Sequence, residues 1–247
     1  VQGKAAADFA KAMGVTKAAT IHDGSIYADQ LQQVFANEFE AAGGTITARE
    51  AVDVGATEMG SMLSRIAATE PEFIYFPIFI PEGAQITSQA RQTPGLEDVI
   101  LMGADGMFSP DFWEAAGESA TGIYHSSPDF SAFGSGYQDF LAAHQAKFGE
   151  APIAPFHAHA YDAASLILEA VEKVAVQDGD TLYVGRKALR DALFATSGHA
   201  GLTGNLTCNE YGDCADPKIV VYETMNPDPA TWNPGADAGS DPIKVWP

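Results

Sequence analysis

Asp105 stands in the turn Gly103-Ala104-Asp105-Gly106, directly after the unbroken apolar run Val99-Ile100-Leu101-Met102. A short apolar run of that kind reads as a buried strand, so the turn offers a carboxylate at the strand's end. An ammonium group taken out of water needs a negative partner, and Asp105 supplies one; the competing reading is a cap for the segment at Phe108. Tyr27 follows a second apolar run, Ala18-Ala19-Thr20-Ile21. Its ring can cover an apolar ligand while its hydroxyl stays wet, or it can pack the start of a helix onto the protein itself. His157 and His159 are two residues apart, which puts them on different sides of a helix. No Cys or His nearby in sequence completes a metal set, so no metal site is expected. The chain has no G-x-S-x-G, no H-E-x-x-H and no phosphate-binding Gly-rich loop; neither catalysis nor a cofactor is expected.

The elements that must position these residues alternate along the chain. A helix is expected over 3–13 and a strand from Lys17. The polar turn His22-Asp23-Gly24-Ser25 has capping chemistry, and Leu31, Val34, Phe35 and Phe39 then recur at helical spacing. Further strands are expected over 45–52, 73–76, 99–102 and 122–126. Helices fall between them over 61–68, over 82–92 and, started by Ser109 and Pro110, through 113–116. This βα alternation implies a parallel sheet flanked by helices, an α/β fold. In such open sheets ligands bind at the carboxyl ends of the strands. After residue 127 the pattern changes to helices over 130–148, 156–176 and 186–194, strand-like pieces over 202–207 and 218–222, an irregular Pro- and Gly-rich tail and a last short strand over 243–246.

Composition narrows the function. With 13 Lys and Arg against 33 Asp and Glu, the formal charge is -20, a surface that repels nucleic acid and anionic membranes. No apolar run is long enough to span a bilayer. Cys208 and Cys214 flank Asn-Glu-Tyr-Gly-Asp. They read as a disulfide stapling a β-hairpin in an oxidising compartment, or as two free thiols in a loop.

Taken in order, several stretches resemble one family. They are Gln2-Gly3-Lys4-Ala5-Ala6, His22-Asp23 with Tyr27, Phe76-Pro77-Ile78-Phe79-Ile80-Pro81-Glu82, Met102-Gly103-Ala104-Asp105-Gly106, Tyr161-Asp162-Ala163-Ala164, Gly201-Leu202-Thr203-Gly204 and Asn209-Glu210-Tyr211-Gly212-Asp213. The chain is similar to the branched-chain amino-acid-binding proteins of ABC importers, the type I solute-binding proteins. The resemblance implies two Rossmann-like lobes joined by a hinge. Residues 1–127 would form a complete lobe, the family's C-terminal one, and 128–247 the remaining helices, hairpin and hinge or tail of an incomplete N-terminal lobe. The opening segment of that first lobe has no counterpart here.

The same resemblance implies a ligand-binding set of Tyr27, Phe79, Asp105 and Phe156, with Asp105 where the family more often carries Glu. The aromatic positions suggest an apolar side chain on the ligand. For Phe79 the bland alternative is hydrophobic plugging of the lobe. The expected function is capture of an amino acid, branched-chain or otherwise apolar, by a periplasmic or extracellular protein freed of its signal peptide. Its partners would be that small molecule and an ABC permease, with no nucleic acid. The alternative is the sensor domain of a membrane receptor; an α/β hydrolase lacks its nucleophile and base.

Overall fold

A strand of small and β-branched residues, β1 (Lys17–His22), is paired with a parallel neighbour on each side within the main sheet, and its central residues are fully buried. The computed structural model in which it is seen describes residues 1–215 and 217–247. Helix α1 (Gln2–Ala12) precedes β1 and turns Ala6, Phe9 and Ala10 inward. After β1 come α2 (Ile26–Ala41), β2 (Thr45–Ala51), α3 (Gly60–Ala67), β3 (Phe73–Tyr75), α4 (Ile80–Ala90), β4 (Ile100–Gly103), α5 (Pro110–Ala116) and β5 (Tyr124–Pro128). Ser25 caps α2 by accepting from the Ala28 amide at 3.1 Å, and Ser109 caps α5 by accepting from the Asp111 amide. Each cap meets a backbone donor that the first helical turn leaves without a partner.

These strands pair in parallel, as the alternation predicts. One apolar layer lies on each face of the sheet. Phe9, Phe35, Phe39, Phe73 and Tyr75 pack on the side of α1 and α2, while Ile21, Ile74, Leu101, Phe112 and Trp113 belong to the other layer.

The chain then builds a second compact unit, Asp129–Lys218. It contains α6 (Tyr137–Phe148), α7 (His157–Val174), β6 (Val176–Asp178), β7 (Thr181–Tyr183), α8 (Arg186–Phe194), β8 (His199–Gly201) and β9 (Gly204–Leu206). Its strands form only the two-stranded ladders β6–β7 and β8–β9 among the described residues. The helix expected over 130–148 is shorter than anticipated. Residues Phe130–Ala132 make a single 3-10 turn, and Gly134 and Gly136, poor helix formers, precede the true start at Tyr137.

The chain finally returns to the first unit through β10 (Ile219–Glu223) and β11 (Ile243–Trp246). Strand β10 pairs antiparallel with β5 and with β11, giving the order β11-β10-β5-β4-β3-β1-β2. The part expected over 128–247 is therefore divided. Residues Ile219–Pro247 go with the first unit, because the apolar run Val220-Val221-Tyr222 completes its sheet.

The cysteine hairpin is corrected by the same pairing. Cys208 and Cys214 are joined in a disulfide, but β9 before it pairs with β8 and β10 after it pairs with β5 and β11. The disulfide closes a loop and not a hairpin.

Candidate functional site

Asp105 opens a short 3-10 turn, Asp105–Met107, directly after β4. Its carboxylate does not cap α5, which Ser109 serves. It meets side chains from two distant elements instead. The Gln2 side-chain amide, in the first turn of α1, donates to Asp105 Oδ1. The Tyr27 hydroxyl, in the first turn of α2, donates to the same oxygen at 3.2 Å. That hydroxyl in turn accepts from the Gly106 amide at 3.3 Å. Gly106 is required here by space: a Cβ would lie 2.7 Å from the Ile78 carbonyl and 3.3 Å from both Phe79 and the Tyr27 hydroxyl.

Phe79 N-caps α4 in extended backbone. Its ring lies 5.4 Å from that of Tyr27 at a tilt of 33°, and it is 46% exposed while Tyr27 is half-buried. Three of the four expected positions thus form one cluster at the carboxyl edge of the sheet, an acid beside an aromatic pair. The fourth, Phe156, belongs to the second unit. It N-caps α7, is 45% exposed, and sets its ring edge against His159 at 5.3 Å.

Burial pushes the Asp105 carboxyl above its ordinary range, opposed by the donors from Gln2, its own backbone amide and Tyr27. Burial, with the charge of Asp105 second, raises the Tyr27 phenol well above its usual value, so it remains a donor at neutral pH. No Lys, Arg or His pairs with Asp105 among the described residues. A partly desolvated carboxylate supplied with neutral donors alone is complementary to a cation.

The family model described as periplasmic binding protein matches residues 1–209. The chain belongs to that family. Among curated relatives of this periplasmic binding protein, the leucine-, isoleucine-, valine-, threonine- and alanine-binding protein of Pseudomonas aeruginosa is 27% identical over 205 residues, 83% of this chain and 52% of the relative. A leucine-binding protein from Thermotoga maritima superposes with a TM-score of 0.79 at 27% identity, over 92% of this chain and 62% of that one. A branched-chain amino-acid transporter substrate-binding protein from Streptococcus pneumoniae, solved with isoleucine, gives 0.78 at 23% identity, over 100% of this chain and 65% of that one, and speaks to the fold. The fold is thus that of type I periplasmic binding proteins. The chain spans about half the length of the curated relative and under two thirds of these two structures.

Several stretches that carry the family resemblance do architectural work in this periplasmic binding protein. His22 Nδ1 accepts from the Gly24 amide and Asp23 Oδ1 from the Ser25 amide, shaping the turn that presents Tyr27. Glu82, 3% exposed, accepts from the Gly55 amide. Asp162, also 3% exposed, accepts from the Leu202 and Thr203 amides and from the Thr203 hydroxyl at 2.7–2.8 Å, fastening the β8–β9 turn to α7. His157 is occupied at both ring nitrogens, by the Tyr137 hydroxyl and the Ala154 carbonyl.

Two members of the cluster escape a reading of the sequence. Gln2 draws attention only within a family-like stretch, and Ser126 only as the end of a strand. The meeting of Gln2 with both Asp105 and Ser126 depends on pairing distant segments, which no local spacing announces.

Proposed function

We propose that this chain is the greater part of the solute-binding component of an ABC importer, which captures an amino acid between two lobes and delivers it to a membrane permease. It is read as a binder and not an enzyme. The observation that carries the proposal is Asp105, a partly desolvated carboxylate given neutral donors and no counter-ion among the described residues, beside the Tyr27–Phe79 ring pair. The carboxylate would take the ligand's α-ammonium and the rings an apolar side chain. Phe156 is proposed as a contact for the ligand's side chain, as the family resemblance implies. Val1–Pro128 with Ile219–Pro247 is taken as the family's C-terminal lobe and Asp129–Lys218 as part of its N-terminal lobe. The disulfide supports an oxidising setting, the periplasm or cell exterior, reached with a signal peptide that is then removed. Names of the relatives support a branched-chain amino acid as the cargo.

Calorimetric titration of the full-length protein with leucine, isoleucine and valine tests this. Asp105→Asn keeps the shape and one acceptor but removes the charge. A charge-assisted hydrogen bond contributes about 1.5–3 kcal/mol, so affinity should fall about tenfold or more, with the thermal midpoint little changed. Equal affinities for the wild type and the variant would overturn the assignment of Asp105.

A further inference from the structure

The Gln2 side chain links strand β5 to the turn after β4 through a single nitrogen. Besides reaching Asp105 Oδ1, Gln2 Nε2 lies 3.1 Å from the Ser126 carbonyl and 3.2 Å from the Ser126 hydroxyl oxygen. One hydrogen of the amide can serve β5 while the other serves the turn after β4. The terminal torsion of an aspartate is soft and roughly two-fold, so an unsupported carboxylate would turn freely. Here Gln2 and Tyr27 converge on one oxygen. Both side-chain donors among the described residues take Oδ1, so neither occupies Oδ2.

We propose that Gln2 is a positioning residue for ligand binding: it holds Oδ1 of Asp105 so that Oδ2 is presented, in a fixed orientation, to the ammonium group of the ligand. This rests on Asp105 being the ammonium partner. It also gives the start of α1 a part in recognition, because the amide that grips the acid is anchored on Ser126. The titratable groups that feel the charge of Asp105 are Tyr27 and Tyr75, and both phenols are raised by burial, so neither competes as an anion. Among the three donors that hold the acid ionised against burial, Gln2 contributes most.

The test is Gln2→Met in the full-length protein, which keeps the side-chain length and removes the donors. Two readouts are taken: the titration midpoint of the Asp105 carboxyl carbon by NMR without ligand, and leucine affinity by calorimetry at pH 7 and pH 5. The midpoint should rise by about one pH unit, the equivalent of one hydrogen bond to a charged group. Affinity should drop several-fold at pH 7 and further at pH 5. Gln2→Glu, which preserves the shape but adds like charge, should raise the midpoint more than Gln2→Met does, and it keeps the test readable if the first variant folds poorly. An unmoved midpoint with unchanged leucine affinity would overturn the proposal. So would a lower melting temperature as the sole effect, since that is the signature of a tether for α1. If the wild type binds no amino acid while the midpoint still moves, the transport reading fails and the grip of Gln2 on Asp105 stands.

Discussion

Helices α2 and α7 are both long and amphipathic, yet they end in different surroundings. In the first unit α2 buries Phe35 and Phe39 completely, against the sheet residues Phe73 and Tyr75. In the second unit α7, with 18 residues, buries Ala158, Asp162, Leu166 and Ala170 and leaves Tyr161, Ile167 and Leu168 52%, 47% and 64% exposed. Apolar residues at helical spacing require a facing surface, and most helical stability comes from that packing. The first unit has a seven-stranded sheet to supply it; the second has two ladders of short strands. The exposed apolar side chains of the second unit are the kind of patch that seeks a partner.

The sharpest way to break the comparison is through the cores. Phe35→Ala should cost about 3–5 kcal/mol, because a fully packed aromatic leaves a cavity. Leu166→Ala should cost about 2 kcal/mol, the low end for its class, since one side of α7 is open. Denaturant unfolding read separately in each unit by hydrogen exchange checks this; equal losses would mean that α7 is as well packed as α2.

Acid provides the next contrast. His125, 2% exposed, has its imidazole edge against Phe112 at 5.2 Å, and burial pushes its pKa down to about 3. The unfolded chain takes up a proton there near pH 6.5, the usual value for histidine, while the folded protein does so only near pH 3. Stability present above pH 6.5 is therefore lost as pH falls between those values, by about 1.4 kcal/mol per unit. A pH series of unfolding curves should show this slope in the first unit, and His125→Leu should flatten it there. An unchanged slope would assign the acid sensitivity to other groups.

The smallest effect concerns helix starts. Ser25 caps α2, whereas Phe156 gives α7 no side-chain cap. Ser25→Ala should cost about 1 kcal/mol, measured as a shift in the chemical denaturation midpoint. A neutral result would mean that the α2 start is held by packing at Tyr27 alone.

The sheet was readable from sequence where each strand carries its own apolar run and ends in turn chemistry, as at Ile100–Gly103. The ladder β6–β7 was missed because Val176–Asp178 and Thr181–Tyr183 are exposed throughout and show no inward alternation. The return of β10 to the first sheet could not be read because an apolar strand does not declare its neighbour. Tyr27 and Asp105 stood out since their turns follow apolar runs. Gln2 did not, since its partners lie 103 and 124 residues away.

Strands β5 and β10 lie side by side in the first sheet. Pro128 and Ile219 are direct partners across that antiparallel pair, and the next residues outward, Asp129 and Lys218, are still hydrogen-bonded through their backbones at 2.8 Å. Topologically, the entire second unit is an insertion at the tip of a β-hairpin. The loop-closure cost of such an insertion grows only slowly with its length, so a hairpin can carry it without strain. Conversely, a tight Asn-Gly turn joining Pro128 to Ile219 would cut out the insertion and leave a minimal single-sheet protein that keeps Gln2, Tyr27, Phe79, Asp105 and Ser126 together.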